Sequence, residues 1–246
     1  MGRSLLLALQ FLTRLPVPEM RAVEDRDIGR SQLWYPLVGL LIGLLLAALA
    51  WVLTSAPHLL RAALVLAAWV AITGALHLDG LGDSADAWMG GLGSRERTLT
   101  IMKDPYSGPG AVVVLVIILL IKFAALESIL NAGDWTLLLL APILGRVALP
   151  LLFLTTPYVR PGGLGAALAQ YLPRRAGILV VLVSTLGMAA AMGKAGVISI
   201  AAAAGMFLLL RSIMLRRIHG TTGDTAGAMV ELIETAVLMT VAIAIP

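Results

Sequence analysis

A succession of long apolar stretches, at about 36–54, 61–77, 111–130, 135–154, 176–193, 196–210 and 225–245, constrains this chain more than any other feature. About 20 apolar residues in a helix cross roughly 30 Å of hydrocarbon, and these runs approach that length, the sixth being short and the seventh carrying acids. Composition agrees: 59% of the residues are hydrophobic and 13% charged, against about 25% charged in an average domain. Too few polar side chains remain to clothe a water-soluble core of 246 residues. The expected fold is all-α, a polytopic integral membrane helical bundle of about seven transmembrane helices forming a single domain over residues 1–246. No internal repeat interrupts it. The absence of cysteine excludes disulfides, thiolate catalysis and thiolate metal sites.

The charges lie between the apolar runs and carry the topology. Of 18 Lys and Arg, fourteen fall in the leader to Trp34 and in the second-to-third, fourth-to-fifth and sixth-to-seventh connections. The alternate connections hold Arg61 and Lys194, and Lys122 and Arg146 lie inside spans. The positive-inside rule then predicts a cytoplasmic N-terminus, cytoplasmic long connections and an external C-terminus. This bias accounts for the basic pI of 9.8 with no nucleic-acid partner. The apolar stretch at the start is broken by Gln10 and Arg14 and lacks a small-residue cleavage site, so no cleaved signal peptide is expected. Asn131–Asp134 reads as a tight outer turn that makes spans three and four antiparallel neighbours.

Four of the 14 acids, Glu19, Glu24, Asp25 and Asp27, read as solvated leader. The informative ones sit in two motifs. The first, His77-Leu78-Asp79-Gly80-Leu81-Gly82-Asp83-Ser84-Ala85-Asp86, stands at the cytoplasmic end of span two. If that helix continues, 100° per residue places Asp79, Asp83 and Asp86 at 0°, about +40° and about −20°, one narrow stripe. A capped helix end needs one acid; three on a stripe near lipid call for a cation, and hard oxygen donors suit Mg²⁺, with water and substrate phosphates completing its octahedron. The second motif, Thr222-Gly223-Asp224 followed by Glu231 and Glu234, places three more acids on one side of a helix, two of them inside the last span. Ionised groups there are costly unless paired or facing an aqueous cavity, so they are site candidates.

Between spans two and three runs a glycine-rich basic loop, residues 90–97, then Ile101-Met102-Lys103-Asp104. Its glycines permit close backbone approach and its cations can hold phosphate oxygens. It carries no GxxxxGK[ST] pattern and is no Walker A loop. Arg146, inside a span, should face the acids or a ligand phosphate, whereas Lys122 reads as a structural partner for a neighbouring helix. A carboxylate cluster, a basic loop and a membrane scaffold suggest metal-assisted transfer of a phosphate-linked group, with an acid or His77 taking the acceptor's hydroxyl proton.

At these residues the chain resembles the cobalamin synthase family, the adenosylcobinamide-GDP ribazoletransferases. The likeness runs from Phe11-Leu12-Thr13-Arg14-Leu15-Pro16-Val17-Pro18 through Pro36-Leu37-Val38-Gly39, the His77–Asp86 stretch and Ile101–Asp104 to Thr222-Gly223-Asp224-Thr225 and Glu231. It departs at Ala87, at Pro105–Ser107 and at His219, where the family pattern favours glycine, a basic residue and glycine respectively. The resemblance implies transfer of α-ribazole, or its 5′-phosphate, to adenosylcobinamide-GDP with release of GMP, at the inner membrane and with Mg²⁺. It implies His77 and Asp104 as catalytic groups and Asp79, Asp83, Asp86, Asp224 and Glu231 as metal ligands. Arg14, Lys103, Arg146, Thr222 and Glu234 would bind substrate. Partners would be the corrinoid and ribazole substrates and membrane lipid, with homo-oligomerisation left open. Two alternatives stand beside it: another membrane phosphotransferase of the CDP-alcohol type, and an ion-coupled transporter using the intramembrane charges.

Overall fold

The computed structural model describes residues 2–18, 20 and 23–244, so Glu19, Arg21 and the final Ile245–Pro246 lie outside the described residues. Every named element among them is helical: α1 (Gly2–Leu12), α2 (Asp25–Ser31), α3 (Tyr35–Val52), α4 (His58–Thr73), α5 (Leu76–Gly90), α6 (Arg95–Ile101), α7 (Pro109–Asn131), α8 (Leu140–Thr155), α9 (Gly163–Tyr171), α10 (Arg174–Ile218) and α11 (Gly223–Ala244). Short 3₁₀ turns precede α3 and α8. Five helices have the length and apolarity to cross a bilayer, and six if the bent pair α4–α5 counts as one span. The chain is therefore a multi-pass helical membrane bundle.

The larger number expected from sequence traces to α10. Its 45 residues would run about 67 Å if straight, more than twice the hydrocarbon thickness. It folds back at Gly193, where φ is 51° and ψ −129°, a conformation that only glycine adopts without strain. A Cβ on Gly196 would stand 2.5 Å from the Met188 carbonyl oxygen, although a straight helix holds these residues about 12 Å apart. The two limbs correspond to the fifth and sixth apolar stretches. Ile178, Leu182, Leu186, Val197 and Leu208 remain exposed on them, as lipid-facing side chains do.

At the centre stands α11, packed against α5, α7, α8 and α10, with Met229, Val230, Ile233 and Val237 fully buried. The expected pairing of spans three and four does not occur: α7 packs on α4, α5 and α11, and α8 on α3, α10 and α11. The 3₁₀ turn Trp135–Leu139 carries the chain sideways before α8 begins, so the two helices flank α11.

Span two also differs from expectation. Its helix stops at Gly74 and Ala75, both left-handed with φ 61° and 56°, and α5 leaves at 88° to α4. The aspartate stripe survives because Leu76–Gly90 is itself one helix.

Candidate active site

The site forms where α5 crosses α11. Gly80 makes the crossing close: a Cβ there would lie 2.7 Å from the Asp224 carbonyl oxygen, inside any tolerable contact. Gly227 faces His77 from the other side of the contact. The crossing brings Asp79 and Asp83 of the first motif beside Asp224 of the second. Asp83 experiences the charges of Asp79, Asp224 and Asp86, opposed by Arg160.

Arg160 is one of the cations of the fourth-to-fifth connection that carry the topology, and the structure gives it a partner. Its Nη2 lies 2.8 Å from Asp224 Oδ2 and 3.5 Å from the Met102 carbonyl oxygen, to which it donates. The segment carrying it is anchored by two backbone bonds, Val159 N to Thr221 O at 2.9 Å and Thr221 N to Pro157 O at 2.8 Å. Burial pushes the Tyr158 phenol above its usual pKa, against the opposing pull of Arg160. Pro157 and Pro161 bracket this segment and stiffen it, but no spacing in the sequence links Arg160 to Asp224.

Other expected site residues divide. Asp86 serves the backbone: Oδ2 accepts from Gly108 N at 2.5 Å and Oδ1 from Ala111 N at 2.9 Å, which caps the N-terminus of α7. Glu231, expected among the metal ligands, lies deeper and accepts from Lys122 Nζ at 2.5 Å. Glu234, expected to touch substrate, accepts from Lys122 at 2.7 Å and from Arg146 Nη1. Two acids and two bases thus neutralise one another in the bundle interior, with Lys122 Nζ 4.8 Å from the Trp69 ring centre. These carboxylates point to each other's cations because helical rise sets them two to three turns below Asp224. Arg146, fully buried, reaches His77 Nδ1 at 3.5 Å with Nη2.

Thr222, also expected at the substrate, is buried and caps α11 instead. Its Oγ1 accepts from Thr225 N at 3.3 Å, Thr225 Oγ1 accepts from Thr222 N at 2.9 Å, and the same Thr222 hydroxyl lies 3.1 Å from Met102 Sδ. Met102 thereby anchors the Ile101–Asp104 turn beside Arg160 while Lys103 and Asp104 stay exposed. Asp104 Oδ1 accepts from Tyr106 N at 3.0 Å, a local turn off the cavity wall. Arg14 is exposed and lies over Gly74 at the break between α4 and α5.

A cavity of about 210 Å³ opens beside the acids. His77, Asp79 and Asp224 furnish its ionisable lining, and Phe11, Tyr35, Phe153, Leu164 and Leu168 most of the rest of its wall. Among the described residues no three acidic or histidine side chains are arranged as a finished metal cage. Asp79, Asp83 and Asp224 nevertheless form a set of hard oxygen donors, and Mg²⁺ commonly takes one or two carboxylates and draws its other ligands from water and substrate phosphate. The residues present fit that mode.

A family model described as cobalamin-5-phosphate synthase matches residues 4–242. The chain belongs to that family. Relatives of the cobalamin-5-phosphate synthase family include the adenosylcobinamide-GDP ribazoletransferase of Pseudomonas aeruginosa strain UCBPP-PA14, 59% identical over 241 residues and covering 98% of each chain. Those of Stutzerimonas stutzeri and Pseudomonas entomophila are each 57% identical, covering 97% and 96% of this chain and 97% of their own lengths. No solved structure matches.

Proposed function

We propose that the chain is a Mg²⁺-dependent membrane transferase that joins α-ribazole, or its 5′-phosphate, to adenosylcobinamide-GDP. The observation that carries this reading is the meeting of Asp79 and Asp224 on the wall of one cavity, with Arg160 paired to Asp224 and Asp83 within reach of their charges, in a chain of this family. The acceptor hydroxyl attacks the phosphorus attached to cobinamide; a new O–P bond forms, the P–O bond to GMP breaks, and GMP leaves with the electron pair. One or two carboxylates of the set Asp79, Asp83 and Asp224 would hold Mg²⁺, which when bound would neutralise phosphate oxygens and stabilise the leaving phosphate.

The chain's own groups divide the remaining work. Arg146 can only donate, so its contact with His77 Nδ1 reserves that nitrogen as an acceptor and leaves the imidazole proton on Nε2. His77 therefore suits a hydrogen-bond donor to substrate, and an aspartate of the cluster is the better acceptor for the hydroxyl proton. Arg160 and the exposed Lys103 supply cations for the diphosphate. The N-terminus and the loops that carry this site face the cytoplasm of the inner membrane, as fourteen cations on that side favour. GMP release from adenosylcobinamide-GDP by detergent-solubilised protein tests the reading. It should require α-ribazole and stop on chelation; release without acceptor, or full activity after chelation, would overturn it.

A further inference from the structure

The cavity beside the acids has a size and polarity that distinguish between the two substrates, an argument that rests on the transferase reading. An apolar cavity of about 150 Å³ accommodates benzene, and drug-sized ligands occupy roughly 300–1,000 Å³. At about 210 Å³ this one suits one or two fused rings, and even together with the neighbouring cavity of about 330 Å³ that shares Phe11, Tyr35, Leu164 and Leu168 it is too small for a corrin macrocycle with its amide arms. Its polar lining is small, supplied by His77, Asp79 and Asp224, while Phe11, Tyr35 and Phe153 give the wall an aromatic character, with Phe11 and Tyr35 stacked at 6.3 Å between ring centres and the Tyr35 hydroxyl buried without a partner. A ligand that matches has a flat aromatic body and a hydroxylated tip.

Closure comes from α9. Leu164 and Leu168, one turn apart on a single face, are the side chains it contributes to the wall, beside Gly165. The Leu168 carbonyl oxygen accepts a buried 2.7 Å hydrogen bond from Gln32 Nε2, which fixes the helix over the cavity.

We propose that this cavity is the subsite for the bicyclic aromatic base of the acceptor, which places the ribose hydroxyls at the aspartates and leaves the corrinoid donor outside, on the loops of Lys103 and Arg160. Substituents on the base are thus read by Leu164, Leu168 and Phe153, and the donor is not.

The test uses full-length protein in detergent, with Leu168→Phe to fill the cavity and Leu164→Phe, at a position 43% exposed, as the variant that folding tolerates more easily. Equilibrium binding of α-ribazole is measured by calorimetry, and KM is measured for each substrate separately. Steric changes of this size in an apolar pocket are worth about tenfold or more. The expected result is a tenfold or greater loss of α-ribazole affinity in either variant, a matching rise in its KM, and a donor KM within about twofold of wild type. Equal rises in both KM values, unchanged acceptor binding in a folded variant, or no binding of α-ribazole by wild type would overturn the proposal. A wild type that binds α-ribazole, loses it on Leu164→Phe, yet releases no GMP would sink the transferase reading and uphold the subsite.

Discussion

Lys122, Glu231, Arg146 and Glu234 form a buried set whose charges sum to zero, and its removal one charge at a time has a calculable cost. Lys122→Met leaves two carboxylates with one guanidinium, and Glu231→Gln leaves two cations with one carboxylate. Each strands a charge among side chains that are at most 6% exposed. Breaking a buried pair by removing one partner costs about 3–5 kcal/mol. In a chain of 150–250 residues each kcal/mol moves Tm by roughly 2–4 °C, so either single variant should melt about 10 °C below wild type. The double variant Lys122→Met/Glu231→Gln retains the Arg146–Glu234 pair and restores neutrality, so it should melt above both singles, with a coupling of about 2 kcal/mol or more against additivity. Thermal melts of purified protein at fixed detergent and salt read this directly. A double variant no more stable than the worse single, or a Lys122→Met protein as stable as wild type, would refute charge balance as what holds the interior together.

Gly80→Ala should lower both Tm and activity, because its Cβ would meet the Asp224 backbone at 2.7 Å, whereas Gly205→Ala, with nothing within 4 Å, should leave stability unchanged or raise it by up to about 1 kcal/mol, roughly 2–4 °C in Tm. Asp83→Asn should abolish most GMP release with an unaltered melt and regain some activity in excess Mg²⁺. Asp86→Asn should instead lose about 1.5–3 kcal/mol of stability, since it replaces one of the two oxygens that accept from Gly108 N and Ala111 N with an NH2 group that can only donate, and excess Mg²⁺ should not repair it. Accessibility tags at 92–94 and 162–163 should report cytoplasmic and a tag after Pro246 external; a cytoplasmic C-terminus would mean that the number of crossings is even.

The bundle was legible because apolar run length is a direct readout of hydrocarbon thickness. Its packing order was not: a tight turn at Asn131–Asp134 argues for adjacent helices, but the 3₁₀ turn after it packs chiefly on α3, and α8 then meets α3, α10 and α11 rather than α7. The aspartate stripe was legible because 100° per residue holds within any one helix, wherever that helix starts. What spacing could not distinguish was the use of each carboxylate. Asp79 and Asp86 share the stripe, yet Asp79 faces the cavity and Asp86 meets backbone N–H groups brought in from residues 108–111. Arg160 and the aromatic wall escaped notice because Phe11, Tyr35, Phe153 and Arg160 come from four separate segments with no common period.

The cations illustrate how one residue can serve two constraints. Arg61, Arg95, Arg174, Arg211 and Arg217, counted from sequence as topology charges, each donate to carbonyl oxygens at helix ends: Ala50, Ile218, Leu154, Thr155 and Trp88. Such carbonyls have no intrahelical donor and sit at the negative end of the helix dipole, so a guanidinium there satisfies the backbone while marking the side of the membrane. These five arginines are therefore committed to the scaffold. With Lys122 and Arg146 also neutralised inside it, Arg160, whose Nε has no hydrogen-bond partner, and the exposed Lys103 are the loop cations near the aspartates that can meet a diphosphate. Arg160→Ala should accordingly raise the KM for adenosylcobinamide-GDP by about tenfold, the worth of one charge-assisted hydrogen bond of about 1.5 kcal/mol, with the KM for α-ribazole unmoved. An equal rise in both would mean that Arg160 only holds Asp224 in place.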